Sequence, residues 1–329
     1  MMLLNFKAYI KEDFLNEEYL AEDNAHNTTY GDAYETGTVL HIHDNSAAKH
    51  NKDKTYQSSI SAIRKKHNAA IASLPSEKAH KALQSAHASG TAYISSLHKH
   101  EGIKPEHIQQ VHHTNQGIDS HIGRTVDRPS NPHDLIIKGT KSKKSFMHGA
   151  SLKATSGTAS NNAAGSFERI SASHGMDTKT SATWSRGKKN AGLTGKSGAE
   201  IKAVKKKPEI VAHNQATQRK SATAHAAAFN AAPHAKQKQH LLHFLKANPD
   251  LPYHYVKGEK GGSSTPHHEI DHVKATHSSK AIHATVKNNL VHFHDEQGRH
   301  IATAEHRPTH GSFISPQVNF KFGTMKAKA

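Results

Sequence analysis

Asp134 and Lys153 stand on two short apolar runs, Asn131-Pro132-His133-Asp134-Leu135-Ile136-Ile137-Lys138 and Phe146-Met147-His148-Gly149-Ala150-Ser151-Leu152-Lys153-Ala154. Each run reads as a β-strand, and the lysine-rich stretch from Gly139 to Ser145 between them has the composition of a hairpin turn. Folded back on each other, the strands bring a carboxylate and an ammonium group to the same end of a sheet. A carboxylate there can hold a divalent cation. A lysine beside it can orient or deprotonate the water that the cation activates, or steady charge developing on a phosphate. That arrangement suits phosphodiester hydrolysis.

The elements that must position this pair are legible around it. Gly31 to Leu40 reads as a helix with Thr28 or Thr29 placed to cap its start. His107 to His113 reads as a strand leading into a polar loop, Thr114 to Ser130, where Arg124 and Arg128 are candidates to meet a phosphate or a base edge. Behind Lys153, Ser156 to Asn162 has the composition of a turn.

These motifs resemble the PD-(D/E)xK nuclease superfamily, which includes many restriction endonucleases. Pro132-His133-Asp134 matches the first half-motif and Ser151-Leu152-Lys153 the second, with Ser151 where the family normally places a second acidic ligand. The helix carrying Glu35 looks like the N-terminal helix of that superfamily, whose glutamate often joins the metal site. The resemblance spans roughly residues 27 to 172. It implies Glu35 and Asp134 as ligands of Mg²⁺ or Mn²⁺, Lys153 serving the attacking water, and Ser151 either assisting through its hydroxyl or leaving a position to solvent. It also implies a mixed sheet flanked by helices. The same residues have a plainer reading, because charges that open and close hairpin strands are commonly solvated edge charges.

Composition narrows the partner. The 329 residues carry 44 Lys and Arg against 27 Asp and Glu, a formal net charge of +17, which favours a polyanion. No apolar run approaches the roughly 20 residues that span a bilayer, so DNA is expected rather than a membrane. Lys138, Lys141, Lys143 and Lys144 join the two arginines as candidate phosphate contacts. The absence of cysteine excludes disulfides and thiolate metal sites. Histidine is abundant, at 32 residues, with close pairs such as His41/His43, His112/His113, His267/His268 and His292/His294. None of these pairs lies in a finger or protease spacing, so zinc is not expected.

The first 22 residues differ from the rest. Phe6, Ile10 and Phe14 recur at helical spacing and acidic residues gather behind them. This segment resembles the capsid-targeting peptide of internal head proteins in tailed bacteriophages, which a prohead protease removes by cutting after glutamate. Leu15-Asn16-Glu17 and Leu20-Ala21-Glu22 both fit that context. The resemblance implies docking on the head scaffold, residence in the virion, and delivery to the host cytoplasm; the same apolar spacing also suits an ordinary first helix packed on the core.

The expected organisation is therefore α+β with an α/β core. Residues 1–22 form a cleavable peptide, 23–185 a nuclease-like core, 186–207 a basic flexible linker, and 208–329 a helix with an antiparallel sheet that is accessory to the core or completes it. Two helices are expected between 53 and 100, with Gly90 threatening the continuity of the second. A helix follows at 234–247. Strands are expected at 252–257, 268–274, 281–286, 290–294, 300–305 and 313–322. A virion-packaged DNA endonuclease is the leading reading. The alternative is a non-enzymatic basic internal head protein that binds packaged DNA or a host factor.

Overall fold

The structure, a computed structural model, describes residues 28–114, 133–153, 158–247, 251–258, 261–308 and 312–325. The proposed targeting peptide, Arg124 and Arg128 lie outside these residues. The chain is α+β. The described residues form two compact units, one drawn from 28–114, 133–153 and 251–266, the other from 158–247 and 267–325.

In the first unit, helix α1 (28–44) is followed by α2 (Lys54–Ala72) and α3 (Ser76–Glu101). Asp53 caps α2 by accepting from the Tyr56 amide, and Gly102 closes α3 in the left-handed conformation. α3 runs unbroken through Gly90 for a steric reason. A Cβ there would collide with the His41 ring, so glycine admits the close approach of α1. The sheet consists of β1 (Ile108–His113), β2 (Leu135–Lys141), β3 (Lys144–Lys153), β5 (Tyr253–Lys257) and β6 (Ser263–Pro266), in the order β1-β2-β3-β5-β6. All neighbours are antiparallel except β3 and β5. The β2–β3 turn is tighter than the sequence suggests: only Ser142 and Lys143 lie outside the strands, both with positive φ. Leu135, Ile137, Ala150, Leu152 and Val256 form one buried face with Tyr34, Leu97 and other helical residues.

The second unit contains β4 (Thr158–Ala163), then helices α4 (Ala164–Ser173), α5 (Thr180–Asn190), α6 (Gly198–Val204), α7 (Pro208–Ala231) and α8 (His234–Phe244). It ends with α9 (Asp271–Ser278) and strands β7 (Ile282–Lys287), β8 (Leu290–Asp295), β9 (His300–Pro308) and β10 (Pro316–Phe322). Its sheet is wholly antiparallel, in the order β4-β10-β9-β8-β7. Among the described residues no helix is long and apolar enough to cross a membrane.

At several points the fold differs from what the sequence suggests. The stretch 186–207 is folded: Ser197 and Glu200 cap α6 reciprocally, and Leu193 and Ile201 are buried with Trp184, Ile210 and Phe313. Much of the stretch expected as a turn behind Lys153 is strand β4, paired with β10. Residues 268–274 are not a strand. Val273 and Thr276, spaced at i and i+3, are the buried side of a helix. The division between units falls near 157 rather than 185, and 251–266 return to the first sheet.

The core of the second unit gathers Phe167, Phe229, Phe244, Phe293 and Phe320 around three fully buried histidines. Ser221 Oγ shares a hydrogen bond with His306 Nδ1 (2.9 Å), His306 Nε2 with His225 Nδ1 (3.1 Å), and His225 Nε2 with His240 Nε2 (3.1 Å). Burial holds all three rings far below the ordinary histidine range. Neighbouring imidazoles add to this for His225 and His240, and His306 is lowered to about 3.

Below about pH 6.5 the unfolded chain binds protons that the folded core refuses, so stability falls as pH drops toward the folded values. Urea denaturation followed by fluorescence of Trp184, the only tryptophan, should give midpoints that decrease from pH 7.5 to 6 to 5. His306→Gln should flatten that dependence. A midpoint independent of pH would contradict neutral buried rings.

Candidate active site

Strand β2 begins beside the end of β3, with Leu135 opposite Ala150, so a residue just before β2 lies next to the last residues of β3. Asp134 occupies that position and is tied into the ladder, its amide donating to the Ala150 carbonyl (2.8 Å). The preceding His133 is held over β3 because position 149 is glycine: a Cβ there would overlap the His133 ring. His133 also packs edge-on against Tyr253 at 5.3 Å and shares a hydrogen bond with the Leu251 carbonyl.

The Asp134 carboxylate is engaged through Oδ2. It accepts from the Leu152 amide (2.6 Å), from Ser151 Oγ (3.4 Å) and from Lys153 Nζ (3.4 Å). Three of the four catalytic candidates therefore meet at one end of the sheet. The fourth, Glu35, comes from α1 to the same region. Its Oε2 accepts from His113 Nε2 (3.3 Å) at the end of β1. It lies near enough to Asp134 for their charges to oppose each other.

Asp134 is consequently a perturbed acid. Burial raises its carboxyl above the ordinary range, Lys153 counters this, Glu35 raises it again, and the Leu152 amide lowers it. Tyr34, next to Glu35 on α1, bridges the helix to this end of the sheet. Its hydroxyl donates to the Lys153 carbonyl (3.3 Å) and shares a 2.8 Å hydrogen bond with Ser89 Oγ. Burial pushes the Tyr34 phenol well above its usual value, so it stays protonated as a donor.

Other candidates are not brought here. Lys143 lies in the β2–β3 turn and Lys141 and Lys144 flank it, about seven residues or roughly 23 Å along the strand from Asp134. Lys141 Nζ donates to the Glu101 carbonyl at the end of α3. Lys138 is midway along β2, half-buried, with its ammonium pKa lowered by burial. These four lysines are thus spread along a hairpin and do not surround the carboxylates.

Sequence reading missed His113 and Tyr34. His113 was visible as the last residue of a strand, but its partner Glu35 lies 78 positions earlier and only the fold joins them.

No protein family, curated protein or solved structure matches the chain.

The carboxyl pKa of Asp134, followed by carbon NMR titration, should rise in Lys153→Met and fall in Glu35→Gln. Each substitution removes one of the opposing charges. Equal titration in all three proteins would mean that the groups do not sense one another.

Proposed function

We propose that the chain is a metal-dependent DNA endonuclease of PD-(D/E)xK type. The observation that carries this reading is the meeting of Asp134, Ser151 and Lys153, with Glu35 nearby, at one end of a mixed sheet. A carboxylate raised by burial and by a second acid, yet held by an ammonium group, has the character of a functional site.

The donor set fits a hard divalent cation. Glu35 and Asp134 offer carboxylate oxygens whose mutual repulsion a dication would relieve. When bound there, Mg²⁺ or Mn²⁺ supplies Lewis acidity and lowers the pKa of coordinated water. The protein's own part is positional. The Leu152 amide and Ser151 hydroxyl fix the Asp134 carboxylate, and His113 fixes Glu35. Lys153, on the strand beside Asp134, orients the attacking water or steadies negative charge developing on the scissile phosphate.

A second reading has its own support. Ser151 stands where a further acid is expected, and Asp134 Oδ2 already receives three donors, as in a structural ion-pair network. In that reading the protein binds DNA without cutting it, as a basic internal head protein of a tailed phage. Under either reading the N-terminal peptide docks the chain on the head scaffold, and the prohead protease then removes it.

Supercoiled and linear duplex DNA incubated with Mg²⁺ or Mn²⁺ separates the two. Cleavage should occur, and Asp134→Asn or Lys153→Met should lower its rate by roughly 100-fold or more. DNA that stays intact with the native protein, or equal cutting by the variants, would overturn the nuclease reading.

Binding should be largely independent of sequence and steeply dependent on salt. Affinity should fall by about three orders of magnitude or more between roughly 50 and 200 mM salt if six or more phosphates are engaged. A flat response in a fluorescence-anisotropy titration would exclude a phosphate-dominated interface.

A further inference from the structure

We propose that Glu101, His148 and His254 form a second metal site, distinct from the carboxylate pair and suited to zinc or a similar borderline transition metal. One ligand atom from each of these residues lies within 4.8 Å of the other two. Both rings are buried and the glutamate is half-exposed.

The fold puts them together from three elements. β3 and β5 run parallel with Ala150 opposite His254, and His148 lies two residues before Ala150, so both imidazoles are on the same sheet face. Their ring centroids are 4.8 Å apart. The same face packs on α3, where Tyr93, Leu97 and Glu101 follow i, i+4 spacing and bring a carboxylate to the two rings at the helix end.

The surrounding hydrogen bonds set the ligand nitrogen. Tyr93 Oη donates to the Gly149 carbonyl (3.0 Å) and is 3.1 Å from His148 Nδ1, which also lies 3.0 Å from that carbonyl. A carbonyl only accepts, so His148 Nδ1 carries the proton and the lone pair a metal would take is on Nε2. His254 Nδ1 lies 3.0 Å from Ser264 Oγ, whose hydroxyl can accept the same kind of bond. The Ser264 carbonyl in turn accepts from Ser96 Oγ on α3 (3.1 Å). Such outer hydrogen bonds are the usual means of orienting histidine ligands.

Two imidazoles and one carboxylate select the metal. Mg²⁺ prefers oxygen ligands and retained water, whereas Zn²⁺, Co²⁺ and Ni²⁺ favour imidazole nitrogen. A tetrahedral ion at roughly 2.0–2.2 Å from each ligand would draw the three atoms inward and keep a fourth position for water. The half-exposed Glu101 side chain can supply that movement. The site would clamp the end of α3 to β3 and β5.

Cobalt reports on it directly. Protein stripped with a chelator and titrated with Co²⁺ should develop the visible absorption of a low-coordinate nitrogen-ligated ion. The signal should saturate at one equivalent and be displaced by Zn²⁺. His148→Ala and His254→Ala should abolish it. Tyr93→Phe, which removes only an outer hydrogen bond, should weaken binding by about 10–100-fold. Replacing three histidines of β7 and β8 in the second unit (His283→Ala with His292→Ala and His294→Ala) should leave the signal intact. If a histidine variant fails to fold by circular dichroism, Glu101→Gln at the half-exposed position decides, with weaker cobalt binding expected. Absorption that never appears, that persists unchanged in Glu101→Gln and His148→Ala, or that vanishes in the triple variant of β7 and β8 would overturn the site.

Discussion

The parallel pairing of β3 and β5 is the constraint on which the first unit depends. Parallel neighbours cannot be closed by a hairpin and need a long crossover connection. Here the chain leaves β3 at Lys153 and returns at Tyr253 after building β4 and helices α4 to α8 of the second unit. The pairing from Gly149↔Tyr253 to Lys153↔Lys257 places His254 beside His148. It also makes β3 a central strand, and Asp134 is hydrogen-bonded to the last residues of that strand. Without β5, β3 would be an edge strand, with one side of its backbone unpaired.

Electrostatics at this sheet end are a balance of opposed terms. Burial and Glu35 work against the Asp134 charge, while Lys153 and the Leu152 amide favour it. Such a carboxylate is sensitive to any added cation. The ion pair with Lys153 is itself a modest stabiliser, because solvent reaches both side chains, 24% of the lysine and 28% of the aspartate being exposed.

Histidine plays different parts in the two units. In the first, His113 hydrogen-bonds a carboxylate, and His133 and His148 each hydrogen-bond a backbone carbonyl. In the second, His225, His240 and His306 replace apolar residues in an aromatic core, joined to one another so that most of their nitrogens are satisfied. His240 Nδ1 lacks a hydrogen-bond partner among the described residues, so this chain of imidazoles ends on an unmet polar atom. The count of 32 histidines therefore says little by itself, since their roles depend on burial.

The sequence by itself determined the local elements and the neighbouring part of the site. Apolar runs bounded by turn residues marked β2, β3, β7, β8 and β9, and the Asp134–Lys153 pair could be read because a hairpin joins residues close in sequence. Periodicity failed where a short segment suited either state, as at 268–274, which became α9 through the buried spacing of Val273 and Thr276. It failed again at 186–207, where glycines and lysines hid the apolar anchors Leu193 and Ile201. Only the tertiary structure decided that His113 meets Glu35, that 251–266 return to the first sheet, and that His148 meets His254. The reason is physical: these contacts join residues 78 or more positions apart, held by sheet pairing and burial that no local pattern encodes.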